Sequence, residues 1–98
     1  MSHRRKHKDA YISLFYCPNH LSYARLGVSI SRVKVRHAVT RNRLKRVIRD
    51  SFRLNQSQIK GYDIVAVAYK GIGNIDNSTL RTTLERLWEK LITSSNKL

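Results

Sequence analysis

The sequence predicts an α+β domain, a single sandwich in which a mixed central sheet of about four strands carries helices packed on it. Three observations predict it. Residues 9–17 and 23–32 alternate with the period of two that a half-buried strand needs, and 63–70 is a nearly continuous apolar run. Residues 38–54 and 77–92 repeat apolar side chains at helical spacing. The 98 residues are 41% apolar, enough for one modest core and no second.

Taken in order, "MSHRRKHK" is basic and lacks apolar periodicity, so residues 1–9 read as a disordered arm ahead of one domain at 10–98. His3 and His7 stand four apart, as metal ligands on a helix can. No Cys or carboxylate accompanies them, and a cationic tail is the better reading. "DAYISLFYC" is a strand ending at Pro18, with Tyr11, Ser13, Phe15 and Cys17 on one face and Ile12, Leu14 and Tyr16 on the other. "PNHLS" turns the chain, and "YARLGVSISR" returns as a second strand. Leu26, Val28 and Ile30 face one way there, Gly27, Ser29 and Ser31 the other. "VKVR", 33–36, reads as a third short strand leading into a helix. "NQSQIKGY" connects, with Gly61 at a turn, to "DIVAVAYK", which has the pattern of a central strand covered on both faces. "GIGN" turns again. Leu80, Leu84, Leu87, Trp88, Leu91 and Ile92 then form one helical stripe with Asp76, Asn77 and Ser78 as candidate N-caps. Trp88 belongs to that stripe and is expected in the core.

Charge narrows the partner. Lys plus Arg number 20 against 6 acids, a net charge of +14. Such an excess points to a polyanion, nucleic acid first and an anionic membrane surface second. The single cysteine, Cys17, excludes an intramolecular disulfide and is expected to be a buried thiol. No run approaches the roughly 18 apolar residues of a membrane span, and no signal core opens the chain, which reads as cytoplasmic with no membrane partner.

The stretch "AVTRNRLKRVIRDSFR", 38–53, holds six cationic side chains, five of them arginine. On a helical wheel Leu44, Val47, Ile48, Ser51 and Phe52 make a core-facing arc. Asn42, Lys45, Arg46, Arg49 and Arg53 fill the opposite arc, with Arg41 and Arg43 on its shoulders. Arg41, Lys45, Arg49 and Arg53 form three like-charged i, i+4 pairs, each costing a few tenths of a kcal/mol. The helix dipole also disfavours cations in the first turns. A phosphate backbone reverses the sign of each penalty, and arginine can hold phosphate bidentately. Asn42 adds a neutral donor and acceptor for a base edge, a ribose hydroxyl or a hydrated metal ion.

Catalysis by the protein itself is poorly supported. Asp9, Asp50, Asp63, Asp76, Glu85 and Glu89 are spread along the chain, and Glu85 with Glu89 fits a solvated edge. A nuclease reading would fall to His20 and His37. No catalytic residue and no metal site are expected. The Gly and Ser face beside Tyr11 and Phe15 could accept single-stranded nucleic acid by stacking, although alternation alone favours an ordinary solvent face.

Residues 25–53, "RLGVSISRVKVRHAVTRNRLKRVIRDSFR", resemble the signature of the bacterial ribonuclease P protein subunit, an R-N-R-x-K-R-x-x-R helix. Here it stands as Arg41-Asn42-Arg43, Lys45-Arg46 and Arg49, preceded by Gly27, Ser29, Ser31 and Ala38. The similarity runs on through "YDIVAVAYKG" and "LERLWEKL", over about residues 11–92. The resemblance implies a protein that binds and stabilises a catalytic RNA, with Mg2+ used by that RNA and no cofactor on the protein. Together they remove the 5′ leader of precursor tRNA. It implies RNA contacts at Arg41, Asn42, Arg43, Lys45, Arg46, Arg49, Arg32 and Lys70, to which the charged arc of the wheel adds Arg53. The leader would lie on the sheet face at Tyr11, Ser13, Phe15 and Ser29. It further implies a left-handed βαβ crossover, against the usual preference. Val33 stands where a second lysine is common, and Tyr69 where the strand end is often basic. The family's helix before the first strand, one wall of the leader cleft, has no room in "MSHRRKHKDAYISLF". Either the start is internal to a longer natural chain or this member lacks that wall, and its lack would weaken leader binding and invite aggregation or a homodimer in the absence of RNA.

Overall fold

The computed structural model describes residues 5–95, with side chains through Thr93; residues 1–4, and with them His3, lie outside the described residues, as do 96–98. Four strands, β1 (Arg5–Lys8), β2 (Ile12–Pro18), β3 (Arg25–Ser29) and β4 (Tyr62–Ala68), form one sheet in the order β1-β2-β4-β3. The first two pairings are antiparallel, and β3 lies parallel to β4. Helices α1 (Ala38–Asn55) and α2 (Asn77–Ser95) form the second layer.

The alternation read from the sequence sets which face those helices cover. Ile12, Leu14 and Tyr16 from β2, and Ile64, Ala66 and Ala68 from β4, are buried in one core with Leu44, Val47 and Ile48 of α1. Leu80, Leu84, Leu87, Trp88 and Leu91 complete it from α2. Each such leucine or isoleucine contributes about 1.5–3 kcal/mol through removal from water. The Trp88 indole N–H is buried too, and donates to Ser51 Oγ at 2.7 Å, so the one polar gap in the α1 stripe exists to receive it. Asp76 caps α2 by accepting from the Thr79 N–H at 2.8 Å, and Thr79 holds its carboxyl below the ordinary range.

Five expectations are corrected. The basic opening run is a strand over Arg5–Lys8, not a disordered arm. Its side chains find aromatic partners: His7 stacks on Tyr16 at 5.1 Å on the helix side, while Lys6 stands 5.5 Å over Phe15 on the other. Residues 33–36 form no strand, and the chain turns at 32–34. Ser31 Oγ accepts the Val33 N–H at 3.0 Å and the Ser31 carbonyl accepts the Val35 N–H at 3.0 Å, which tightens the chain and drives Val35 into the core. β3 does not pair with β2, because β4 inserts between them. β4 is central, as its sequence suggested, yet one face is open: Val65 is 42% exposed because both helices lie on the other side. Cys17, on that open face, is half-buried and not fully enclosed.

Gly71 follows β4 with φ +96°, and a Cβ there would come 3.1 Å from the Tyr11 ring. The left-handed turn sends the chain into a short 3-10 helix, Ile72–Asn74, that seats Ile72 in the core ahead of α2.

Candidate nucleic-acid interface

The cations of α1 divide by what they touch. Arg41 donates through Nη1 to the carbonyls of Val35 and Arg36, both at 2.9 Å, and so ties the turn before the helix to its first turn. Arg43 donates to Asn77 Oδ1 at the start of α2 and, more distantly, to the carbonyls of Gly73 and Ile75 at 3.5 and 3.4 Å. Arg53 pairs with Asp50 at 3.1 Å, an exposed contact of about 0–1 kcal/mol. Lys45, Arg46 and Arg49 make no hydrogen bond or ion pair with the described residues, and Arg46, Arg49 and Asn42 are exposed on the outward face.

That outward row has nothing to relieve it. The first turn of α1 carries no acid and His37 gives no side-chain cap. Like-charge repulsion acts against Lys45, Arg46 and Arg49, and folding gains nothing from them in return. Arg41 and Arg43, both half-buried, hold the loops on either side in place, so the two arginines of the R-N-R triplet differ from the outer row in kind.

Further cations gather at one end of the sheet. Because β3 and β4 run parallel, Arg32 after β3 and Lys70 after β4 leave the sheet at the same end, from which α1 starts. Both are exposed. Between them Tyr69 has Lys34 Nζ 5.2 Å and Lys8 Nζ 5.5 Å from its ring, so lysines from two other segments bring positive charge to a strand end whose own residue is neutral.

The open face of the sheet reads Lys6 and Lys8, then Phe15, then Val65 and Val67, then Gly27 and Ser29, in cross-strand register. Phe15 and Tyr11 are half-buried and Ser29 is exposed. Ser13 is not available: it is fully buried, its hydroxyl 2.6 Å from the Tyr69 hydroxyl, and Tyr69 takes its place at the surface. Lys6, Lys8, Lys34 and Tyr69 were missed in the sequence. The alternation of Lys6 and Lys8 around His7 was the available signal, hidden in a run that looked uniformly basic.

At the sheet's other end Asp63 accepts two bonds from Arg25, both 2.7 Å, and one from Asn19 at 2.9 Å. Arg25 and Asn19 pull its carboxyl down to about 2. His7, by contrast, is held below its ordinary value by burial and by Lys90. His20 sits in the turn after β2 and His37 immediately before α1, at opposite ends of the sheet, and the structure does not bring the two together. Among the described residues no three His, Cys, Asp or Glu side chains are grouped to hold a metal.

The family model described as Ribonuclease P matches residues 1–92. The ribonuclease P protein component of Idiomarina loihiensis is 46% identical over 82 residues, 84% of this chain and 66% of that protein. That of Azotobacter vinelandii is 45% identical over 84 residues, 86% of this chain and 65% of the relative. The chain thus spans about two thirds of the length of these curated relatives. Among solved structures, the Staphylococcus aureus RNase P protein superposes with a TM-score of 0.82 at 26% identity, over 89% of this chain and 80% of that one. The Thermotoga maritima RNase P protein gives 0.79 at 31% identity, over 90% and 84%. With the family model matching residues 1–92 and relatives about 45% identical over most of its length, this chain belongs to the ribonuclease P protein family.

Proposed function

We propose that this protein is the RNA-binding subunit of a ribonuclease P ribonucleoprotein, in which a catalytic RNA removes the 5′ leader from precursor tRNA. The observation that carries the proposal is the outward row of Lys45, Arg46 and Arg49, charges that folding leaves without partners. Family membership supplies the identity of the polyanion. Asn42 is the neutral member of the row, suited to a ribose hydroxyl or base edge. Arg41 and Arg43 act behind it, fixing the loops that set the helix on the sheet.

The cations at the Arg32 and Lys70 end of the sheet continue that face toward the open side. There Phe15 and Tyr69 offer π-surfaces and Lys6, Lys8 and Lys34 offer phosphate contacts, the combination that single strands use. The leader lies there, with Tyr11 and Ser29 at its margins. Mg2+ belongs to the RNA in this reading, as the family resemblance implies. The protein lowers the metal requirement by neutralising phosphate, and the cleavage chemistry stays with the RNA.

Single-turnover cleavage of a precursor tRNA by a bacterial ribonuclease P RNA at low magnesium, with and without the protein, tests this. Rescue by the protein, lost in the Arg46→Ala/Arg49→Ala double variant, is expected. Tight, salt-sensitive RNA binding with no rescue would refute the processing role and leave a general RNA binder.

A further inference from the structure

The outer face of α1 does not end at α1. Asn42 and Arg46 line one wall of a groove whose other wall is Asn77 and Arg81 at the start of α2. Arg81 is exposed and, like Arg46, makes no hydrogen bond or ion pair with any described residue. Arg43 lies in the floor and holds Asn77 by its Oδ1, which leaves the Nδ2 donor of Asn77 unengaged. Asp50, the one carboxylate in the groove, is already paired with Arg53. Two guanidinium groups from two helices, with two amide side chains between them, match the donor pattern that a phosphodiester accepts.

We infer that this groove between α1 and α2 is a phosphate clamp for RNA, and that Arg81, outside the R-N-R helix, is an RNA-binding residue. The inference rests on the proposed function for the identity of the RNA, and its geometry is separate from the outward row. A phosphate seated there meets Arg46 and Arg81 from opposite sides. Arg43 is a positioning residue for the clamp, because it orients Asn77 and anchors the turn from which α2 starts. The α1 helix alone would touch the backbone along one line; the clamp adds a second helix and fixes the rotation of the protein on its RNA.

The test is a salt titration of binding by the full chain, using a bacterial ribonuclease P RNA in one arm and a precursor tRNA in the other. Variants are Arg81→Ala, Arg46→Ala, the pair together, and Lys60→Ala as a charge control on an exposed connector. Each lost phosphate contact lowers the slope of log affinity against log salt by about 0.9, so the deficit of Arg81→Ala should shrink about 3-fold between 50 and 200 mM salt. The double variant should lose less than the product of the two single losses, since both residues meet one phosphate. A loss confined to the ribonuclease P RNA assigns the phosphate to that RNA, and a loss seen with precursor tRNA assigns it to the substrate; either supports the clamp. Binding by Arg81→Ala equal to wild type, or no weaker than Lys60→Ala, overturns it. If wild type itself fails to bind ribonuclease P RNA, the proposed function fails first, and the precursor tRNA arm still decides the clamp.

Discussion

Replacing Arg43 by alanine removes a guanidinium that touches three acceptors, the side-chain oxygen of Asn77 and the carbonyls of Gly73 and Ile75. Only the Asn77 bond is short; the other two, at 3.5 and 3.4 Å, add little. A hydrogen bond from a charged donor contributes about 1.5–3 kcal/mol when well shielded. Arg43 is only half-buried, so a loss of about 1–2 kcal/mol is the reasonable expectation, equivalent to roughly 4–16 °C in Tm for a domain of this size. Arg46→Ala breaks no contact and should stay within about 0.5 kcal/mol of wild type. Urea denaturation of the two variants, followed by circular dichroism, measures the difference. Arg43→Lys should fall between Arg43→Ala and wild type, because an ammonium can keep the one short bond to Asn77 but not the two long ones. Equal stability of Arg43→Ala and Arg46→Ala would refute the division between arginines that hold the fold and arginines that face the ligand.

Leu44→Ala, at a fully buried position of the α1 stripe, should cost about 2–5 kcal/mol in the same denaturation assay while the folded fraction binds RNA normally. Asp63 has a native pKa of about 2 against an unfolded value of 3.8, so the unfolded chain binds more protons between those limits. Its stabilising contribution is therefore complete above pH 4 and lost as pH falls toward 2. Arg25→Ala should flatten that part of the acid-stability curve, and a curve unchanged by the substitution would show that the carboxylate is held by something else.

Periodicity made the layers legible. Leu44, Val47 and Ile48 recur at helical spacing, as do Leu80, Leu84, Leu87 and Leu91, and every one of them is buried. Ile12, Leu14 and Tyr16 alternate with Ser13 and Phe15, and the core takes the face that alternation assigned to it. The misses have a common physical origin, a partner distant in sequence. Arg5–Lys8 becomes a strand because Ser13–Tyr16 offers it a ladder and Tyr69 offers an aromatic ring to Lys8, none of which its own composition reveals. Ser13 has the size and polarity of a surface residue, yet the Tyr69 hydroxyl closes over it. The wheel placed Arg41 and Arg43 on the shoulders of α1 correctly. It could not show that carbonyls of residues 35, 36, 73 and 75 would be waiting there, because a wheel describes one helix and those acceptors belong to the loops beside it.

The strand order has a consequence for how this chain is made. β4 is the centre of the sheet and the last strand to be synthesised; β3 has no other partner in the sheet, and β2 has only the short β1. Some 39 residues separate the end of β3 at Ser29 from the end of β4 at Ala68, which at about 5–20 residues per second is roughly 2–8 s of synthesis. During that interval Ile12, Leu14, Leu26 and Val28 have no sheet to join, and the contacts that will bury them are long-range and slow to form. The nascent chain therefore passes through a stage in which its apolar strands are held apart from other chains chiefly by charge. Arg5, Lys6, Lys8, Arg25, Arg32, Lys34 and the first residues of α1 are all present by then. The same excess of cations that we propose meets RNA in the finished protein gives the unfinished one its protection against self-association.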